Sequence, residues 1–245
     1  MDARDYFALS KIFNEFKPNV VIQLAAVSHS NLSNKDPHST FDNSFRTLEN
    51  ALDNSKNKVD HFIYFSSSMI YGNFSAPEVD ENTVANPLGI YGALKYSGEK
   101  IVIAYNQVFD LPYTIVRPSA LYGQGCISRR VGQIFIENAI LGKQIEINGD
   151  GEETLDFTYI NDLVSGIEKI IENKNSINQI FNITYGSSRK INNLIDILKD
   201  YYPNIKIKYK PRDKLMPKRG TLSIMKANKI LDYKPQWPIE KGYRK

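Results

Sequence analysis

Residues 61–72, HFIYFSSSMIYG, begin with a strand-like run that ends in three consecutive serines. Residues 91–95, YGALK, follow within a stretch of helical character. This spacing places Tyr91 and Lys95 on one face of a helix, about one turn apart. A lysine ammonium beside a tyrosine favours the phenolate, so a phenol with an ordinary pKa of about 10 can act as a base at neutral pH. With a serine hydroxyl opposite, the pattern predicts a redox enzyme that removes a proton from an alcohol while a cofactor takes the hydride.

Helical and strand-like segments alternate through the first half of the chain. The run at 20–26, VVIQLAA, is the kind of short apolar segment that is buried on both faces of a parallel sheet. Strands alternating with helices of this length predict a doubly wound α/β sheet of the Rossmann type, whose ligands bind at the carboxyl ends of the strands. The predicted helices are 5–16, 37–55 and 90–109, and the predicted strands are 20–26, 61–65 and 113–116.

Beyond residue 123 the regular alternation breaks, and we predict a smaller lobe. Its expected elements are a helix near 130–141, a strand at 145–147 and a turn at 149–151. A helix capped by Asp162, followed by a strand at 179–183, is expected to return the chain to the sheet. The predicted division gives residues 1–120 and 156–184 to the Rossmann-type domain, and residues 121–155 and 185–245 to a substrate-binding lobe.

Composition narrows the functional classes. A formal net charge of +4 gives no general case for nucleic acid, and the one dense basic segment, 206–219, is interpreted as a solvated face. The single cysteine, Cys126, cannot form an internal disulfide and fits a reducing cytoplasm. The three histidines share no ligand spacing with cysteines or carboxylates, so no metal site is predicted. No apolar run approaches the roughly 18 residues of a membrane span and no signal peptide is recognised, which predicts a soluble, cytoplasmic protein without membrane contact.

The serine run and the YGALK segment, together with the NPLGI lead-in at 86–90, resemble the extended short-chain dehydrogenase/reductase family. Within it, the chain resembles the NAD-dependent epimerase/dehydratase group, which acts on nucleotide sugars and includes UDP-glucose 4-epimerases. The resemblance extends over essentially the whole chain. It implies that Tyr91 is the catalytic base, that Lys95 lowers the tyrosine pKa and binds the nicotinamide ribose, and that Ser67 is the catalytic serine. Ser68 is the nearby alternative and a second candidate substrate contact.

The same resemblance implies that NAD is the cofactor, with NADP left open. Ala25 and Ala26 lie in a turn similar to the family's Leu-Ala-Ala, whose small side chains let the backbone approach the dinucleotide. Asn43, in a motif similar to Asn-x-x-Gly-Thr, is expected near the nicotinamide, and Asp2, in an Asp-x-x-Asp motif, is expected near the adenine. The other expected cofactor contacts are Ser66, Tyr91, Lys95 and Pro118.

The two positions after Ser67 bear on the type of reaction. In nucleotide-sugar dehydratases the catalytic residue and the two that follow it are similar to Thr-Asp-Glu, because expulsion of water requires an acid and a base. In this chain the two following residues are Ser68 and Met69. A thioether can neither donate nor accept the required proton. The resemblance therefore implies redox chemistry at C4 of the sugar. Epimerisation of a UDP-hexose through a 4-keto intermediate is the first interpretation, and reduction of a nucleotide-4-ketosugar is the alternative.

The lobe departs from the family pattern at its nucleotide-binding signature. Residues 149–157, GDGEETLDF, match that signature, but Leu155 stands where an arginine usually clamps the nucleotide diphosphate. Guanidinium groups match the geometry of phosphate, so other arginines of the chain are candidates for this contact. These substrate-binding candidates are Arg129, Arg130 and Arg219.

The largest departure is that no glycine occurs before Gly72. Family members begin with a strand, a Gly-x-x-Gly-x-x-Gly turn and a helix, because the backbone must touch the pyrophosphate at a helix N-terminus. The chain resembles a member without roughly its first 55 residues, and its Rossmann-type domain is predicted to be N-terminally incomplete. This leaves open a function of another class, a catalytically inactive sugar-nucleotide-binding or scaffold protein. The resemblance also implies a homodimer formed through the helices at 37–55 and 90–109.

Overall fold

The computed structural model describes residues 1–126 and 128–245, and the chain folds into two compact units. The first unit comprises residues 1–72, 84–117 and 168–181, and the second comprises residues 73–83, 118–167 and 182–245.

Helices and strands alternate along both units of the described chain. The helices are α1 (Tyr6–Phe16), α2 (Ser30–Lys35), α3 (Pro37–Phe41), α4 (Thr47–Ser55), α5 (Gly89–Phe109), α6 (Val131–Ile140), α7 (Ile160–Glu172), α8 (Ile191–Lys199), α9 (Met225–Leu231) and α10 (Ile239–Gly242). The strands are β1 (Val20–Gln23), β2 (His61–Phe65), β3 (Glu78–Val79), β4 (Tyr113–Arg117), β5 (Leu121–Tyr122), β6 (Ile145–Asn148), β7 (Thr154–Leu155), β8 (Thr158–Tyr159), β9 (Gln179–Asn182), β10 (Arg189–Lys190), β11 (Ile207–Lys210) and β12 (Thr221–Leu222).

One four-stranded sheet, in the order β1–β2–β4–β9, organises the first unit. Strand β1 pairs in parallel with β2, with Val20 opposite His61, and β2 pairs in parallel with β4, with Phe62 opposite Tyr113. All of β4 and nearly all of β2 are buried, as expected for parallel strands covered on both faces. This arrangement confirms the predicted α/β fold class with a parallel sheet.

Strand β1 is less buried than the sequence predicted. It ends at Gln23, and two of the large apolar residues of the run 20–26 are exposed, Ile22 at 40% and Leu24 at 62%. The prediction that this run is buried on both faces is therefore wrong. The physical reason is that β1 is the edge strand of the sheet order, so the described residues place no strand on its outer side.

The helices of the first unit follow local signals in the sequence. The carboxylate of Asp5 accepts the backbone N–H of Ala8 at 3.0 Å and caps α1, which ends where Lys17 takes the left-handed conformation. The predicted helix at 37–55 is helical throughout, but a π-helical turn, Asp42–Arg46, separates α3 from α4. The short helix α2 was not predicted, because its sequence, SNLSNK, has no apolar periodicity.

The division between the units differs from the predicted one in four segments, which belong to the second unit rather than to the first: 73–83, 118–120, 156–167 and 182–184. Strand β3 pairs in parallel with β12, and this pairing holds residues 73–83 in the second unit. Strand β8 pairs in parallel with β5 and carries the start of α7 with it. Neither pair contains enough residues to show a strand period, so the sequence pattern gave no sign of them.

The second unit has its own apolar core, built on the two-stranded pairs β6–β11 and β7–β10 and on helices α6 and α8. Asp162 was predicted to cap α7, and this is wrong. It lies within the first turn of the helix, and its carboxylate accepts the backbone N–H groups of Gln236 at 2.7 Å and Trp237 at 3.0 Å. Tertiary hydrogen bonding of a buried carboxylate therefore replaced the local capping that the sequence suggested.

Gly72 provides a test of the turn that follows the serine run. Its φ is 64°, and a Cβ at this position would overlap the backbone carbonyl of Asn86. We expect Gly72→Ala to lower the free energy of unfolding by roughly 3 kcal/mol or more, because the clash adds to the cost of left-handed backbone.

Gly142 is the matched control, since its φ is 61° and nothing lies within 4 Å of an added Cβ. Gly142→Ala should lose only about 1 kcal/mol. Urea denaturation measures both, and equal losses would contradict the steric argument.

Candidate active site

The serine run leaves the carboxyl end of β2 and enters a short 3-10 helix, Ser68–Tyr71, in which Ser68 is buried. The hydroxyl of Ser66 donates to Oε1 of Glu99 at 2.5 Å, whereas Oγ of Ser67 accepts the backbone N–H of Met69 at 3.1 Å. A hydroxyl that accepts a hydrogen bond still has its own proton to donate. Ser67 is therefore equipped to polarise an oxygen placed beside it.

Tyr91 and Lys95 lie on consecutive turns of α5, as their spacing predicts. The Nζ of Lys95 donates to the backbone oxygen of Phe65 at 2.6 Å and lies 5.3 Å from the centre of the Tyr64 ring. Burial lowers the pKa of Lys95 to about 8, while the charge of Glu99 acts in the opposite direction. At neutral pH the amine is therefore mostly protonated, and it places a cation on the helix face that carries Tyr91.

The tyrosine–lysine pair lines a narrow crevice together with Ala25 and Ala26, which follow β1. The two alanines also line an adjoining open groove of about 640 Å³, whose walls include Asp2 and Asn43. The hydroxyl of Thr47 donates to the backbone oxygen of Ala25 at 2.8 Å and fixes the chain where it leaves the strand. The first unit therefore brings six of the predicted cofactor contacts to two adjoining spaces.

Four of the remaining predicted residues, Pro118 and the three arginines, lie in the second unit. Pro118 begins the segment 118–167 of that unit and follows directly after β4. Arg129 is exposed and forms an ion pair with Glu137 at 2.9 Å. Arg130 immediately precedes α6 and lines a cavity of about 140 Å³ whose walls include Tyr122.

Arg219 differs from the other predicted arginines in its hydrogen bonding. Its Nε is buried and has no hydrogen-bond partner in the described part of the chain. Burial, together with the charges of Arg130 and Arg212, lowers the pKa of Arg219 to about 10. Its backbone oxygen accepts a hydrogen bond from Thr154 at 2.8 Å, next to Leu155, whose side chain belongs to the apolar core of the second unit. A guanidinium with an unused N–H beside other arginines is equipped to bind an anion.

A buried network behind the serine run was not predicted. Glu99 and Arg117 form an ion pair with N–O distances of 2.8 and 2.9 Å, and Arg117 also donates to the phenol oxygen of Tyr71 at 2.9 Å. Glu99 follows Lys95 by the same interval that separates Lys95 from Tyr91, so helical spacing was the available signal. Acidic residues are rarely buried, and the sequence alone gives no reason to expect that this one is.

Among residues 1–126 and 128–245, no group of three or more His, Cys, Asp or Glu side chains is arranged so that it could hold a metal ion. Within the same ranges, no helix combines the length and the hydrophobicity that a membrane span requires.

The chain is similar to proteins of known family. Residues 1–184 match the family model described as NAD dependent epimerase/dehydratase family. The chain is 30% identical over 253 residues to a UDP-glucuronate 4-epimerase of Thermodesulfobacterium geofontis, an alignment that covers 100% of this chain and 76% of the relative. It is also 32% identical over 198 residues to a dTDP-D-glucose 4,6-dehydratase of Dictyostelium discoideum, covering 76% of this chain and 45% of the relative.

Solved structures show the same similarity. The UDP-glucuronic acid 4-epimerase of Bacillus cereus, in complex with UDP-glucuronic acid and NAD, matches with a TM-score of 0.92 at 30% identity, covering 98% of this chain and 77% of that one. The chain spans from 45% to 63% of the length of five of the curated relatives that it matches. Sequence and fold agree with the predicted family, and the family match extends over residues 1–184 of the 245. The chain therefore belongs to the NAD dependent epimerase/dehydratase family.

Proposed function

We propose that this chain contributes the catalytic groups of an NAD-dependent nucleotide-sugar epimerase, which converts a UDP-hexose into its C4 epimer through a 4-keto intermediate. The observation that carries the proposal is the pair Tyr91 and Lys95 on one face of α5, in a crevice shared with Ala25 and Ala26. The similarity to proteins named as UDP-sugar 4-epimerases supports it.

The groove in the first unit has a lining that suits part of an NAD molecule. The groove is lined by Ala25 and Ala26, so at these positions no side chain larger than a methyl group fills the space. Lys95 would hold the nicotinamide ribose, Asn43 would approach the nicotinamide, and Asp2 would approach the adenine. When bound, NAD accepts a hydride from C4 of the sugar and returns it to the opposite face. Residues 1–71 contain no glycine, so they do not supply the glycine-turn contacts that bind the pyrophosphate in this family.

The residues of the site have separate roles in this reaction. Tyr91 removes the proton of the C4 hydroxyl as the C4 hydride leaves, and Ser67 donates a hydrogen bond to the same oxygen. Lys95 stabilises the phenolate of Tyr91 through its positive charge, and the backbone oxygen of Phe65 keeps the amine in place. When the ketone is reduced from its other face, Tyr91 returns the proton to the oxygen.

The proposed contacts of the nucleotide diphosphate are Arg130 and Arg219. The buried Nε of Arg219, which has no partner among the described residues, supports this assignment most directly. Ser68 and Met69 carry neither the acid nor the base that loss of water would need, which favours epimerisation over the dehydration for which other relatives are named. Reduction of a nucleotide-4-ketosugar requires the same residues and is the second candidate.

A homodimer through the helices at 37–55 and 90–109, in the cytoplasm, stays a prediction. Large apolar side chains on these helices are exposed, among them Phe41 at 53% and Val108 at 69%. Exposed apolar side chains are the kind of surface that self-association covers.

Replacement of Tyr91 tests the proposed base. The assay uses the chain extended at its N-terminus by the strand, glycine turn and helix of a relative, incubated with NAD and UDP-hexoses and followed by mass spectrometry and NMR. We expect Tyr91→Phe to lower turnover by about 10²–10⁴-fold, because the C4 hydroxyl loses its proton acceptor. Tyr96→Phe, on the same helix but outside the crevice, should retain full turnover.

The product of the same assay distinguishes the candidate reactions. Epimerisation gives a nucleotide sugar of unchanged mass with a new configuration at C4. A product lighter by one water would show that the chain is a dehydratase and that the inference from Met69 is wrong. Full turnover in Tyr91→Phe would remove Tyr91 from the mechanism. The absence of any turnover in the extended chain without substitutions would favour a binding or scaffold protein.

Replacement of Arg219 tests the proposed diphosphate contact in the 245-residue chain itself. We expect Arg219→Ala to weaken the binding of UDP by roughly 10-fold or more, since hydrogen bonds to charged groups contribute about 1.5–3 kcal/mol. Arg129→Ala is the matched control, because Arg129 is exposed and already paired with Glu137. Isothermal titration with UDP measures both, and equal affinities for the two variants would contradict the assignment.

A further inference from the structure

Helix α5 contacts the end of β2 through two side chains one turn apart. The Nζ of Lys95 donates to the backbone oxygen of Phe65 at 2.6 Å, and Oε1 of Glu99 accepts the hydroxyl proton of Ser66 at 2.5 Å. The peptide that ends the strand is therefore held on α5 through its carbonyl and through the next side chain. Ser67, the proposed catalytic serine, is the following residue.

Arg117, at the end of β4, fixes Glu99 from another strand. Its Nε and Nη2 donate to the two carboxylate oxygens of Glu99 at 2.9 and 2.8 Å, which is a bidentate arrangement. Its Nη1 donates to Tyr71 at 2.9 Å, and its guanidinium carbon lies 5.1 Å from the centre of that ring. Glu99 therefore links α5 with the ends of two strands and, through Arg117, with the turn after the serine run.

The ion pair between Arg117 and Glu99 is more deeply buried than the other ion pairs of the described chain. Arg117 is 5% exposed and Glu99 is 2% exposed, whereas in every other ion pair formed within residues 1–126 and 128–245 each side chain is at least 23% exposed. Removal of two charges from water costs about as much as their attraction returns, and apolar residues of similar volume are often as stabilising. The pair is therefore poorly explained by a contribution to stability. It is better explained by the fixed geometry that it gives to the segments beside the proposed catalytic residues.

We propose that Glu99 is a positioning residue of this active site and that Arg117 holds it in place. Glu99 keeps the end of β2 where Ser67 and the carbonyl that binds Lys95 are needed, and its negative charge favours the protonated amine of Lys95 beside Tyr91. The inference rests on the proposed function, in which Lys95 acts as a cation.

The charges around Lys95 determine whether its pKa should rise or fall when the charge of Glu99 is removed. Glu99 is the acidic group that acts on the amine from the same helix, and Arg117 is the cation that neutralises Glu99 from β4. The other titratable neighbours of this cluster are Tyr64, Tyr71, Tyr91 and Tyr113. Burial already lowers the pKa of Lys95, and Glu99 opposes that effect. Loss of the carboxylate charge should therefore lower the pKa of Lys95 further, because the positive charge of Arg117 is left uncompensated.

Titration of Lys95 by NMR in the 245-residue chain tests the proposal without substrate or cofactor. With lysine labelled at its ε carbon, the Lys95 resonance is assigned by its loss in Lys95→Arg, and its pH dependence gives the pKa. In Glu99→Gln we expect this pKa to lie about 1 pH unit or more below that of the unmodified chain. Glu49→Gln is the matched control, because Glu49 pairs with Arg46 on the surface of the same unit, and it should leave Lys95 unchanged.

A second variant keeps the test decisive if Glu99→Gln does not fold. Glu99→Leu combined with Arg117→Met removes both charges and leaves neither unpaired, so the fold should be retained. We expect the pKa of Lys95 to lie below that of the unmodified chain in this variant as well, because the carboxylate and its hydrogen bond with Ser66 are gone. If the pKa of Lys95 in either folded variant equals its pKa in the unmodified chain, the pair is only structural and the proposal is wrong. No turnover is measured, so the result does not depend on whether the proposed epimerase activity is found.

Discussion

The hydrogen bond from Lys95 to the backbone oxygen of Phe65 is the contact on which the candidate site depends. It joins α5 to the end of β2 at 2.6 Å, at the point where the strand gives way to the serine run. Because β2 lies between β1 and β4, its end has a fixed position relative to the residues that follow both neighbours. The helix face that carries Tyr91 and the start of the serine run are thereby held together by this one contact.

Burial of the Lys95 amine lowers the stability of the fold. A lysine titrates ordinarily at 10.5, and burial lowers the pKa of Lys95 to about 8. The folded state therefore holds this proton less tightly than the unfolded chain does, which costs about 3 kcal/mol at neutral pH and is relieved as the pH rises from about 8 to above 10.5. A perturbed amine that lines a crevice is better explained by chemistry than by stability.

The sequence predicted those features that repeat along the chain and missed those that depend on tertiary position. Helical spacing gave the pairing of Tyr91 with Lys95, and apolar runs gave the strands β2 and β4. The exposure of Ile22 could not be predicted, because a strand at an edge and a strand at the centre of a sheet have similar local patterns. Asp162 was misassigned for a related reason, since its partners lie far along the chain and no local pattern indicates them. Glu99 was missed because burial of a carboxylate depends on a partner from another strand.

Leu155 stands where an arginine is usual in the family signature, and the proposed diphosphate contact is therefore assigned to an arginine elsewhere in the second unit. Leucine there joins the apolar core, so a charged side chain at that place would have to be buried. Arg219 lies beside the same strand, since its backbone oxygen is bonded to Thr154. An unpaired buried N–H costs about 1–3 kcal/mol, and the neighbouring arginines add repulsion that also favours a negative partner. A phosphate oxygen would relieve both costs at once, which is the energetic argument for the proposed contact between Arg219 and a nucleotide diphosphate.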